Sequence, residues 1–151
     1  MTAGRFPKIP LRSPREAIGG YVILPRLIDK VRLEAEGNLS PEYAENLLKP
    51  GLTLDGRFLA FTGLSGEALR GAIHSSQTDE EVLAWVERHG RPRSTEEKRR
   101  WAEEIDAYRP NPERAARRKQ IYPELAEKVD LAAFSVFDII DIDEGRISTE
   151  K

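Results

Sequence analysis

Three carboxylates and four cations carry the chemistry that this chain could offer. Asp29, Asp138 and Asp141 are the candidate acids or bases. Arg12, Arg26, Lys30 and Arg146 are the candidate clamps for a carboxylate or phosphate. Arg26, Asp29 and Lys30 lie in LPRLIDKVRLEAEG, residues 24–37, where Leu24, Leu27, Ile28, Val31 and Ala35 form one apolar face at helical spacing. Leu33 falls nearly opposite, in line with Arg26 and Asp29, so a second layer is expected over the charged stripe.

Asp138 and Asp141 recur with Ser135 at every third position in DLAAFSVFDIIDIDEGR. A helix gathers such residues into one drifting stripe, whereas a strand throws them onto alternate faces. A helix is therefore expected, with a β-branched strand over 133–143 as the alternative. Apolar residues nearly encircle that helix, which predicts burial and a need for cations beside its carboxylates. It is the expected cover for the 26/29 stripe.

Two readings follow for this charged set. In the first it is a clamp on the fold, with Arg26 pairing Asp29 along one helix and Arg12 or Arg26 neutralising Asp138 or Asp141. The chain is then a non-catalytic small-ligand-binding or protein-interaction module organised around an Arg/Asp polar junction. In the second the same residues line a cleft, and a small enzyme acts on a polar or anionic metabolite with Asp as acid or base and Arg as anion clamp. The first is the leading reading.

Other constellations fall away. GEALRG has glycines at 66 and 71, but Ala72-Ile73 replaces the Lys-Ser/Thr that a phosphate loop needs. In GLSGE, Glu67 stands where a nucleophile elbow requires glycine, so Ser65 reads as a helix cap. A calcium loop starting at Asp141 would need glycine where Arg146 stands. His74 and His89 form no His-x-x-x-His pair, and His89 suits the C-terminal end of a helix beside Trp85. No metal or cofactor is expected.

The elements that must position these groups read as all-α: a single compact multi-helix bundle over 13–151, with an extended arm over 1–12 and a largely buried C-terminal helix. The 151 residues, 39% apolar and 33% charged, fit one globular domain. Ser13-Pro14-Arg15-Glu16 reads as a capping box for a short helix that Gly19-Gly20 stops, and nothing reads firmly as a hairpin. Ser40-Pro41, Asp55, Ser65, Thr78, Ser94 and Asn111 are the expected starts of further helices. Pro123 is expected to bend or end the segment that Asn111 opens. With no cysteine and no apolar run near the ~20 residues of a membrane span, a cytoplasmic location is expected.

The net charge of −2 is unevenly spread, because residues 88–119 hold eleven Lys/Arg against six Asp/Glu. Such a segment suits either solvated helices or nucleic acid, and nucleic acid is the less favoured partner.

LRSPREAIGGYVILPRLIDKVRL, LDGRFLAF, TDEEVLAWV and IDIDEGR together resemble an uncharacterised bacterial group, domain of unknown function 5069. The resemblance spans nearly the whole chain. It implies a small, mostly helical bacterial domain and brings no activity, substrate or catalytic residue with it.

Overall fold

The computed structural model describes residues 11–51 and 53–147. The expected N-terminal arm, residues 1–12, therefore lies outside the described residues except for Leu11 and Arg12. The described residues are predominantly helical and divide into two compact units, Leu11–Arg99 and the residues from Arg100 onward.

The first unit opens with a feature that the sequence disguises. Instead of a short helix, Ala17–Ile18 (β1) and Tyr21–Val22 (β2) form an antiparallel hairpin, with Ala17 opposite Val22 and Ile18 opposite Tyr21. Gly19 and Gly20 have φ of 59° and 86°, the doubly left-handed two-residue loop that matches strand twist. Ser13 caps only a turn: its Oγ accepts from the Arg15 N–H, and its carbonyl accepts from the Glu16 N–H. The Ile23 N–H then donates to the Pro14 carbonyl and closes the base of the hairpin.

Helix α1 (Leu24–Ala35) follows at once, entered through Ile23 at φ 77°. A β-branched residue in that region is strained, and it is held by near-complete burial. Leu24, Leu27, Ile28 and Val31 are fully buried, each contributing ~1.5 to 3 kcal/mol of transfer free energy. Ala35 is exposed, and Leu33 is half-buried on the other side.

Helices α2 (Pro41–Ala44), α3 (Leu54–Thr62), α4 (Gly66–Ser75) and α5 (Asp79–His89) complete this unit with the start of α6 (Thr95–Ala107). α1 packs on α4, α2 and the hairpin, and α4 packs on α5. Most expected starts hold. Ser65 caps α4, Thr78 and Glu81 form a reciprocal capping box on α5, and Ser94 and Glu97 do the same before α6. Asp55 is a correction: Thr53 caps α3 by accepting from the Gly56 N–H, and Asp55 lies buried inside the helix with other partners.

In the second unit, Asn111 caps α7 (Pro112–Ile121), and α8 (Pro123–Ala126) begins at the expected proline. A 3₁₀ turn at Leu131–Ala133 leads to α9 (Val136–Asp143), capped by Ser135. The helical alternative for this segment is thus the observed one. Leu125, Leu131, Ile139 and Ile142 form a core cluster against which Tyr122, Ala126, Val129 and Phe134 pack. No described helix is long and apolar enough to cross a membrane.

Candidate functional site

Arg12 is the centre of the best-organised polar cluster. Its Nε donates to Asp29 Oδ2 at 3.1 Å and its Nη2 to Asp29 Oδ1 at 3.0 Å, a parallel fork. Its backbone N–H adds a third bond to Asp29 Oδ2 at 2.9 Å. Nη1 reaches the other way to Asp79 Oδ2 at 2.7 Å, and Nη2 also donates to the Pro25 carbonyl at 3.2 Å. One planar guanidinium thereby ties residue 12, α1 and the first turn of α5 together, a geometry that a lysine cannot reproduce. The hydrogen bonds to Asp79 and then Asp29 raise the Arg12 pKa still further, so it stays charged. Arg12 in turn holds the Asp79 carboxyl below the usual carboxylate range.

One expected pairing is corrected here. Asp29 takes Arg12 as its partner among the described residues rather than Arg26, its neighbour one turn earlier. The Arg12 guanidinium is shared among Asp29, Asp79 and the Pro25 carbonyl. Arg26 is 4% exposed, donates through Nη1 to the Arg12 carbonyl at 3.1 Å, and stacks over the Tyr43 ring. It braces the Arg12 backbone. Arg32 comes within 3.7 Å of Asp79 through Nη1, while its Nη2 is buried without an acceptor among the described residues.

Lys30 belongs to a separate buried pair. Its Nζ donates to Asp55 Oδ1 at 2.8 Å, and Asp55 Oδ2 accepts from the Leu48 N–H at 2.8 Å. With side chains 9% and 2% exposed, this ammonium and carboxylate fix the inside of the unit and offer little to a ligand. The left-handed backbone at Leu48, φ 56°, aims its N–H at Asp55.

A third cluster lies where the sequence had shown only a charge-rich helix. Lys98, 6% exposed, donates to the Gly19 carbonyl at 2.8 Å and to Glu87 Oε2 at 3.1 Å, and sits over the Tyr21 ring at 4.3 Å. Burial pushes the Tyr21 hydroxyl pKa up, so it remains neutral. In the second unit, Arg146 Nη1 donates to Asp141 Oδ1 at 2.9 Å and to Glu144 Oε1 at 2.6 Å. Both acids are nearly sealed, at 7% and 2% side-chain exposure. Asp138 is half-buried in the first turn of α9, and its N–H donates to Ser135.

Residues 8–146 match the family model described as Domain of unknown function (DUF5069). The chain belongs to that family. No curated protein matches it. Among the described residues of this DUF5069 chain, no group of three or more His, Asp or Glu side chains is arranged to hold a metal. His89 does what its place suggests: Nδ1 lies 3.1 Å from the Trp85 carbonyl and the two rings stack at 4.7 Å. Sequence reasoning missed Asp79, Asp55, Glu87 and Lys98 as partners. Asp79 was hidden by its second role, since an acid in the first turn already has a reason to be there.

Proposed function

We propose that this DUF5069 chain is a non-catalytic protein-interaction module whose Arg/Asp junctions hold its fold rather than a substrate. One observation carries the reading: Asp29, the candidate base nearest the arginine cluster, accepts three hydrogen bonds from Arg12 alone. Three of the roughly four lone-pair sites of this carboxylate are taken, and freeing it to accept a proton from a substrate would cost the arginine its fork. The sealed Asp141 supports the same view.

A second reading, binding of a small anion, draws on the buried Arg32 Nη2 that lacks an acceptor among the described residues. A thermal-shift screen against carboxylates, phosphates, other polar metabolites and divalent metals separates the two. A true ligand at a hundredfold excess over Kd stabilises by about 2.7 kcal/mol and shifts the midpoint visibly. The interaction-module reading expects no saturable shift, and a lower midpoint for Asp29→Asn. A saturable shift by an anion that Arg32→Met abolishes establishes the second reading and removes the first.

A further inference from the structure

Helix α7 buries none of its residues completely, and one of its sides combines arginines with an isoleucine. Arg114, Arg117, Arg118 and Ile121 fall at i, i+3, i+4 and i+7, one side of the helix. On that side Arg114, Arg117 and Ile121 are exposed, and Ile121, at 59%, is the more exposed of the two large apolar side chains on the described surface. The adjoining side, centred on Arg118, is already used. Ala115 and Tyr122 turn inward, and Arg118 reaches across to donate to the Leu131 and Phe134 carbonyls at 2.8 and 2.9 Å.

The helix carries an excess of positive charge. Pro112–Ile121 holds four cations against the single acid Glu113. Arg114 and Arg117 make no side-chain hydrogen bond or ion pair among the described residues, unlike Arg12, Lys30, Lys98 and Arg146.

We propose that the Arg114–Arg117–Ile121 side of α7 docks an acidic, partly apolar segment of a protein partner. This rests on the interaction-module reading and names its surface. The two arginines complement carboxylates, and Ile121 at the end of the stripe supplies the apolar anchor that interfaces place beside arginine. Nucleic acid fits less well. A phosphate backbone gains nothing from Ile121, and two free arginines are a short electrostatic footprint.

The test is fluorescence anisotropy on the full chain. The probes are a labelled helical peptide with Glu at i, i+4 and a Leu stripe, the same peptide with Lys for Glu, and a labelled DNA duplex. The acidic peptide is expected to bind, more weakly as salt is raised, and the basic one is not. Arg114→Glu with Arg117→Glu, and separately Ile121→Asp, should each weaken binding by about tenfold or more, with circular dichroism and melting unchanged. Acidic-peptide binding that ignores both variants overturns the α7 assignment and leaves the interaction-module reading standing. Failure of the acidic peptide to bind also overturns the assignment, as does tighter duplex binding indifferent to Ile121. The interaction-module reading itself falls only to a saturable metabolite or metal hit in the thermal-shift screen.

Discussion

Replacing Arg12 tests most directly whether the junction is a clamp. Arg12→Lys keeps the positive charge and discards the planar fork that meets Asp29 through two parallel bonds while turning a third nitrogen to Asp79. Arg12→Met discards both. The side chains of Arg12, Asp29 and Asp79 are 33%, 18% and 25% exposed, between a surface pair at ~0 to 1 kcal/mol and a sealed one at ~3 to 5. We therefore expect losses of about 1 kcal/mol for lysine and about 2 for methionine. For a chain of this size, methionine should lower the melting temperature by ~4 to 8 °C. Urea unfolding followed by circular dichroism measures both, with the slope on denaturant unchanged. A double-mutant cycle with Asp29→Asn should return a coupling of ~1 to 2 kcal/mol. If Arg12→Lys is as stable as the wild type, or the coupling lies within ~0.3 kcal/mol of zero, the fork does not hold the fold.

Three further outcomes are expected. Asp55→Asn should cost ~3 to 5 kcal/mol, because it leaves the buried Lys30 ammonium unpaired, whereas Thr53→Ala should cost only ~1 by loss of a cap. Adding Lys30→Met to Asp55→Asn should recover part of the loss in the same denaturation assay. Gly19→Ala should destabilise by ~1 to 3 kcal/mol, since the new Cβ would meet Leu83 at 2.6 Å from a left-handed backbone; Leu83→Ala relieves the clash but not the backbone, so melting curves should show partial rescue. The Asp79 carboxyl is held low in the folded chain, so its contribution is fully present above the unfolded value of ~3.9 and fades as pH falls through the folded one. Asp79→Asn should flatten the stability profile in that acid window and leave its shape above pH ~5 unchanged, as read from melts across pH.

What could be read in advance was what the chain decides locally. Ser65, Thr78, Ser94 and Asn111 each serve an N–H three residues on, so type and spacing announce them. The apolar face of α1 likewise follows from a period of 3.6. Local signals also misled where two of them competed. Ser13-Pro14-Arg15-Glu16 imitates a helix start, but the paired glycines beyond it suit a hairpin loop and the neighbouring Ile18, Tyr21 and Val22 suit strands. Thr53 and Asp55 are both good caps two positions apart, and the buried Lys30 decides between them by claiming Asp55. The site depended on distant partners. Arg12 finds Asp79 across 67 positions and Lys98 finds Gly19 across 79, and no periodicity encodes such meetings.

The span of the Arg12 clamp also bears on the order of events in folding. The hairpin and the start of α1 are neighbours in sequence and can form early, but the Arg12 bond to Asp79 cannot close until α5 has docked. We expect a bond made that late to be absent from the transition state, so that it governs how long the native chain lasts rather than how fast it is reached. In stopped-flow measurements, Asp79→Asn, which weakens that bond and keeps the Arg12–Asp29 fork, should leave the refolding limb of the chevron nearly in place and raise the unfolding limb. Arg12 would then act as a latch whose removal shortens the lifetime of the folded unit.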